Sequence, residues 1–311
     1  MTTTARTAAP AAARRSRTRH RGPLAVLVLP FTLFFVAFFV APIVYAVVQS
    51  LFAVRSSGLG LGPPTRSFVG LGNYLQVLSS GDFVASLGRV LVFSAIEVPL
   101  MVGVSLTLAL LLESGRARWP RLFRAVFFLP YGVPGVVASL LWGFLYVPST
   151  SPILQGLDRL GLTVTPLASG SVLLSIANIA LWSFAGYNML ILVASLQSIS
   201  GDLYEAARLD GAGDLAIIRH ITLPLLRPTV VLVTVFTIIG TLQLFVEPLV
   251  LRPLTSAISS TFTPNLAAYN AAFAGNDSNT AAAMAVVLAL VAFVFSFGFL
   301  RLVNRKGNRA W

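Results

Sequence analysis

The chain lacks cysteine and carries one lysine and two histidines in 311 residues. Without cysteine there is neither a disulfide framework nor a thiolate metal site. The lone lysine, Lys306, is followed by Gly307, so the Gly-Lys-Ser/Thr core of a phosphate-cradling loop is missing. Hydrolysis of ATP by this chain itself is therefore not expected. His20 and His220 stand in distant parts of the sequence, and a zinc-type site needs several ligands close together. No Gly-x-Ser-x-Gly nucleophile elbow occurs either. Catalytic residues, a metal and a cofactor are all expected to be absent. Charge is scarce as well: 10% of residues are Asp, Glu, Lys or Arg, against about 25% in an average soluble domain.

What fills the chain is apolar. Hydrophobic residues make up 56%, and the mean hydropathy is +0.85. The expectation is an all-α membrane protein with six spans. The first run, Leu24 to Phe52, is too long for the apolar region of a signal peptide, which covers about 7–15 residues. It reads as a retained helix that Pro30 and Pro42 can bend. The other spans are expected near Leu87–Leu112, Leu122–Val147, Ser171–Leu196, Thr229–Leu251 and Thr280–Val303. Prolines at 130 and 134 should kink the third against its neighbours. Four segments follow: a disordered basic tail (1–23), a first helix with an external loop (24–85), a five-span core (86–304) and a C-terminal tail (305–311). No internal repeat stands out, so an inverted-repeat carrier has no support.

The net charge of +12 would suit a nucleic-acid binder, but the arginines lie beside apolar segments, and a membrane partner explains them better. Seventeen of the 22 basic residues fall on the side of the two termini, the 116–124 connector and the 200–224 loop. That bias makes both termini and the loop cytoplasmic.

One stretch is polar where a mere turn would suffice. It runs Ser200-Gly-Asp-Leu-Tyr-Glu-Ala-Ala-Arg-Leu-Asp-Gly-Ala-Gly213 and closes with His220-Ile-Thr-Leu-Pro224. Asp202 can cap a short helix, with Glu205 completing a capping box. Gly211 or Gly213 can end it. A second short helix from Asp214 to His220 follows, and Pro224 resets the backbone. Glu-Ala-Ala, then Asp-Gly-Ala-Gly, then Ile-Thr-Leu-Pro is a composite pattern that resembles the cytoplasmic EAA loop of ABC importer permeases of the carbohydrate-uptake type. Phe68-Val-Gly-Leu-Gly-Asn-Tyr74 and Phe127-Phe-Leu-Pro130 with Pro134-Gly135 resemble the same family.

The resemblance implies a type I importer permease fold and a sugar as solute. It also implies a second homologous permease, two ATP-binding subunits and an external solute-binding protein, all in a bacterial inner membrane. On the positions that match, it implies docking to the ATPase by Glu205, Ala206, Ala207, Asp210, Gly211, Ala212, Gly213, Leu223 and Pro224. A polyol or glycerol phosphate ester is the alternative solute. A self-sufficient carrier or channel is the alternative class, with only Glu97 and Glu247 as charged candidates along a path.

Polar residues inside the spans have two readings. Trp182, Ser183, Tyr187, Asn188, Gln243 and Glu247 can offer hydrogen bonds and aromatic faces to a sugar. The resemblance implies such contacts on the fourth and fifth spans, on a face that includes Ser183 and Tyr187. Equally, such residues can join helices, and Trp142 and Trp182 can anchor at an interface. Glu97 reads first as structural, near the outer interface or paired with Arg89.

Overall fold

Two helices carry the architecture: α4 (Gly81–Glu113) and α8 (Val172–Gln197) lie against each other along their length. Small and hydroxylated residues allow the approach. Ser105 Oγ of α4 donates to the carbonyl of Ala185 in α8 at 3.1 Å, in a fully buried contact. Interiors between spanning helices are joined this way because apolar burial gives no preference between lipid and protein.

The computed structural model describes residues 21–55, 65–115 and 117–307. The expected basic tail up to residue 20, the glycine- and proline-rich stretch 56–64, Arg116 and residues 308–311 lie outside the described residues. The chain divides into a first compact unit ending at Val48 and a second beginning at Gln49. In the first, α1 (Arg21–Phe35) leads through a wide π turn, Val36–Val40, into α2 (Ala41–Ser50). The helix starts at Arg21 rather than Leu24. Its phenylalanines stack at i, i+4 spacing: Phe31 on Phe35, Phe34 on Phe38 and Phe35 on Phe39.

The second unit opens with an antiparallel pair not expected from sequence, β1 (Phe52–Arg55) and β2 (Thr65–Phe68). Phe52 and Phe68 face each other across the ladder, and their rings meet edge to face at 5.4 Å. Asn73, in α3 (Gly72–Ser79), donates its amide to the carbonyls of Ser50 and Phe52 and so ties the pair down. The rest of the unit is helical: α5 (Pro120–Phe128), α6 (Gly135–Tyr146), α7 (Pro152–Arg159), α9 (Gly201–Leu209), α10 (Asp214–Ile217), α11 (Leu223–Leu242), α12 (Val246–Leu251), α13 (Pro264–Phe273) and α14 (Ser278–Gly307). Helix α14 continues to Gly307, so residues 305–307 are helix rather than tail.

Among the described residues, five helical stretches are long and apolar enough to cross a membrane, and a bent pair makes a sixth. That pair is the third expected span. It is not a kinked rod: α5 with its 3₁₀ extension meets α6 at 97°, because Pro130 and Pro134 each remove an amide from the ladder. The fifth span also differs from expectation. It runs from Asp214 to Leu254, so Pro224 does not reset the chain. A π turn, Ile218–Thr222, precedes that proline, as Val36–Val40 precedes Pro42. In both, the residue just before the proline donates its N–H five residues back, to Ile218 and Val36 respectively. The widened turn makes room where the proline ring would meet a carbonyl, and the helix continues. The expected loop 252–279 contains α13, whose Leu266 and Ala267 are buried.

Apolar packing falls into three clusters. One joins Phe93, Ile176, Ile179, Leu251, Phe262 and Leu266. A second, toward the other ends of α4 and α8, joins Ala109, Met189, Leu192, Leu226 and Val233. A third seats α13 and α14 on α3 and the start of α4, through Val77, Phe83, Ala267 and Ala283. Between the first two the packing opens.

Candidate functional site

The opening between those clusters is a cavity of about 440 Å³, within the range of about 300–1,000 Å³ that small-molecule sites occupy. Its walls come from α4, α8, the Pro130–Pro134 corner and the end of α11. The wall from the fifth span is unwound. Helix α11 stops at Leu242, α12 starts at Val246, and the connecting Phe245 is neither helical nor extended (φ −146°, ψ −51°). Irregular backbone at membrane depth is tolerated only against protein or a cavity. Here the Gln243 carbonyl accepts from Asn265 Nδ2 of α13 at 2.9 Å, and Gln243 to Glu247 face the cavity.

Four of the six sequence candidates meet in this cavity: Tyr187, Asn188, Gln243 and Glu247. Trp182 and Ser183 do not line it. Trp182 packs edge to face on Trp142 at 6.0 Å, and Trp142 lies 5.6 Å from Tyr146, so both tryptophans belong to the packed interior rather than an interface belt. Tyr146 anchors that cluster, donating to the Ser175 carbonyl and accepting from Asn178. Ser183 is buried one helical turn before Tyr187.

Tyr131 and Glu97, also around the cavity, were not among those six candidates. Tyr131, between the two prolines of the corner, stacks on Tyr187 with centroids 4.5 Å apart and planes 12° from parallel. The signal was present, since two closely spaced prolines turn the chain and present the residue between them. Glu97 was expected near the outer interface or paired with Arg89, and that placement is corrected. Its side chain is fully buried among the residues that surround the cavity. Arg89 instead donates to the Phe262 carbonyl at 2.6 Å and lies over the Phe262 ring. Eight residues separate Arg89 from Glu97 along α4, two helical turns, and the guanidinium is held away by α13's approach segment.

Gly186 fixes the geometry of the corner. A Cβ there would stand 1.8 Å from the Phe127 carbonyl oxygen, so only glycine lets α8 meet the backbone of α5. Nearer the loop, Arg124 pairs with Glu113, and the Gln197 amide accepts from the same guanidinium at 3.0 and 3.1 Å. This triad joins the ends of α4, α5 and α8.

Helix α8 then passes directly into the second feature, the knuckle formed by α9 and α10. Its cap is Ser200, whose hydroxyl accepts from the Asp202 N–H, not Asp202 itself. The expected Asp202–Glu205 capping box is therefore not formed. Asp202 sits instead in the first turn, where its charge complements the helix dipole. Gly211 ends the helix in the left-handed region (φ +81°), with the Ala212 N–H reaching back to Ala207 at 2.9 Å. Gly213 is extended and starts α10. Glu205, Ala206, Asp210, Gly211 and Gly213 are exposed, while Ala207 and Ala212 are half-buried. Leu223 and Pro224 stand apart from them, past the π turn at the start of α11. Two large apolar side chains flank the glycine turn and point away from the protein: Leu209 is 89% exposed and Leu215 79%.

A bundle with a broken third and a broken fifth span around a mainly apolar cavity that holds a few polar side chains, and a folded knuckle on one connection, is the arrangement of a membrane permease. Residues 101–308 match the model of the binding-protein-dependent transport system inner membrane component family, and the chain belongs to that family. It is a multi-pass subunit of the bacterial inner membrane. It is 31% identical to the arabinooligosaccharide transport-system permease of Halalkalibacterium halodurans over 291 residues, 91% of this chain and 89% of that one. Against the sn-glycerol-3-phosphate transport-system permease of Yersinia pseudotuberculosis it is 31% identical over 284 residues, 90% of this chain and 94% of that one. The fold is that of a chain in the crystal structure of a bacterial ABC transporter that imports the acidic polysaccharide alginate. The TM-score is 0.79 at 22% identity, covering 91% of this chain and 96% of that one.

Proposed function

We propose that this subunit passes a sugar through the cavity, driven by ATP hydrolysis on separate subunits that dock on the α9–α10 knuckle. A second, homologous permease completes the pathway, and an external solute-binding protein delivers the sugar. The termini and the knuckle are cytoplasmic, in keeping with the arginine bias of the sequence. The observation that carries the reading is continuity. Helix α10 of the knuckle, the π turn and the unwound cavity wall follow one another along one span, Asp214 to Leu254, and α8 enters the knuckle through α9 from the opposite cavity wall. Displacing the knuckle must therefore move two walls of the cavity together. Leu209 and Leu215 give a partner the apolar anchors that a docking contact needs, and Glu205 and Asp210 stand at its rim.

The cavity chemistry supports a sugar over a phosphate ester. Aromatic faces suit the C–H surfaces of a pyranose or furanose ring, while amides and carboxyls suit its hydroxyls. A phosphate would call for arginine, and among the described residues no arginine, lysine or histidine lines the cavity. The test is reconstitution in proteoliposomes with the partner permease, the ATPase and the binding protein. ATPase activity stimulated by the binding protein, together with accumulation of a neutral oligosaccharide, is expected. Solute accumulation by this chain alone, without nucleotide, would overturn the reading.

A further inference from the structure

Helix α3 divides its surface three ways. Asn73 and Val77 are buried, and Tyr74 is half-buried beside them. Leu71, Leu75 and Leu78 follow at helical spacing on another side and are 66%, 69% and 52% exposed. Gln76 and Ser79, also exposed, form the third edge. No residue of the helix is charged. The inward face fixes where the helix sits. Asn73 and Tyr74 bond to Ser50, where the first spanning stretch ends. Val77 packs in one cluster with Phe83, near the start of the second, and with Ala283, near the start of the last. Asn279, at that same start, donates to the Gln49 carbonyl at 2.9 Å. Three spans thus have one end at α3. The far end of α4 is Glu113, in the triad with Arg124 and Gln197 that precedes the knuckle, so α3 lies at the opposite end of the bundle from the knuckle.

We propose that α3 is an interfacial helix: its leucine ridge lies in lipid at the boundary of acyl chains and headgroups, and its Gln76–Ser79 edge meets water. Exposed apolar ridges mark contacts with protein or with membrane, and three observations favour lipid. The division of faces is the one a helix lying in the plane of the interface needs. The level fits, because spanning helices leave the hydrocarbon where their apolar runs end. The ridge also continues into an exposed apolar stripe on the adjoining α4, where Val84, Val92, Ile96 and Leu100 recur at steps of four and eight residues. A docking face for a water-soluble partner is rimmed by polar and charged groups, and the leucine ridge carries no charge. Anchorage here is by apolar burial and not by attraction to anionic headgroups. Held in this way, α3 sets the depth of the three span ends that bond to it or pack against it.

The absence of cysteine makes a direct test available, since a single introduced thiol is the only one on the chain. Leu75→Cys and Gln76→Cys are each labelled with a methanethiosulfonate nitroxide, with Leu78→Cys in place of Leu75→Cys should that variant not assemble. The labelled chain is assembled with its partner subunits in vesicles of phosphatidylethanolamine and phosphatidylglycerol. Power saturation of the spin signal then reads collisions with oxygen, which concentrates in lipid, and with nickel ethylenediaminediacetate, which stays in water. The oxygen-to-nickel ratio at the leucine position is expected to exceed that at position 76 by about fivefold or more, as one face is sunk in lipid and the other is wet. Equal ratios at the two positions, or a lower one at the leucine, overturn the proposal, because the ridge would then stand in water. So does a leucine position that neither reagent reaches, since a protein partner would then cover the ridge.

Discussion

The chamber and the knuckle solve opposite problems. In the chamber, polar groups are enclosed by an apolar bundle: Glu97 is fully buried, and Asn188 nearly so. On the knuckle, apolar groups project from a polar element: Leu209 and Leu215 are almost wholly exposed, and α9 has no buried residue. Each arrangement is costly for the isolated chain. A buried polar group without a partner loses its hydration, and a large exposed apolar side chain orders water. On the function proposed above, binding would remove the cost in each place, of a solute in one and of a subunit in the other. The two are joined by rigid helix, so the misfit at one end can be relieved by an event at the other.

The strongest way to break that comparison is to cut the link. Gly186, next to Tyr187 of the chamber, holds α8 against the α5 backbone on the helix that leads to the knuckle. Gly186→Val should force the helices apart and destabilise the subunit by about 3 kcal/mol or more, the upper range for overpacking. Thermal unfolding in detergent is expected to show a large loss, with transport and knuckle docking failing together. A Gly186→Val subunit with wild-type melting and uptake would mean that the close approach at Phe127 is not formed.

The knuckle comes next. Leu209→Asp removes an exposed anchor without touching the fold, so insertion and melting should be unchanged. Affinity for the ATPase should fall about 30-fold, the loss of a ~2 kcal/mol hot spot. Gly211→Val acts on the backbone: a β-branched residue is strained at φ +81°. Glu205→Lys acts on charge. Both are expected to abolish uptake while the subunit still inserts. Pull-down of the ATPase and sugar uptake in proteoliposomes distinguish these outcomes, and wild-type uptake in either would remove the knuckle from the drive.

How far these regions were legible in the sequence follows from how local their causes are. The knuckle was readable because its parts are contiguous: a helix start, Ala-Ala, and a Gly that needs a left-handed turn. Even there the cap was misplaced by two residues, since serine and aspartate compete for the position and only the backbone decides. Four of six chamber candidates were readable because polar residues in an apolar run have few places to go. The Arg89 partner expected for Glu97 was sought on its own helix, whereas Arg89 is claimed by Phe262, far away in sequence. Tyr131 depended on a 97° corner, and Pro130 and Pro134 announce a bend without giving its angle. The π turns before Pro42 and Pro224 were invisible for a related reason: a proline can end a helix or be absorbed by widening it, and packing chooses.

The smallest effects sharpen the boundary of the chamber. Tyr187→Ala removes one face of the Tyr131–Tyr187 stack, a contact of about 1 kcal/mol. It should raise the KM for sugar uptake roughly fivefold, with assembly intact. Trp182→Phe lies just outside. It keeps an aromatic ring against Trp142 and exposes no new surface to the cavity, so KM should not move. Loss of the larger ring leaves a small void, costing about 1–2 kcal/mol, which unfolding in detergent would register as a modest drop in Tm. The two substitutions sit five residues apart on α8, yet one should change only transport and the other only stability. If Trp182→Phe raised KM as much as Tyr187→Ala, the solute path would have to extend past the Trp142 cluster, and the chamber drawn here would be too small.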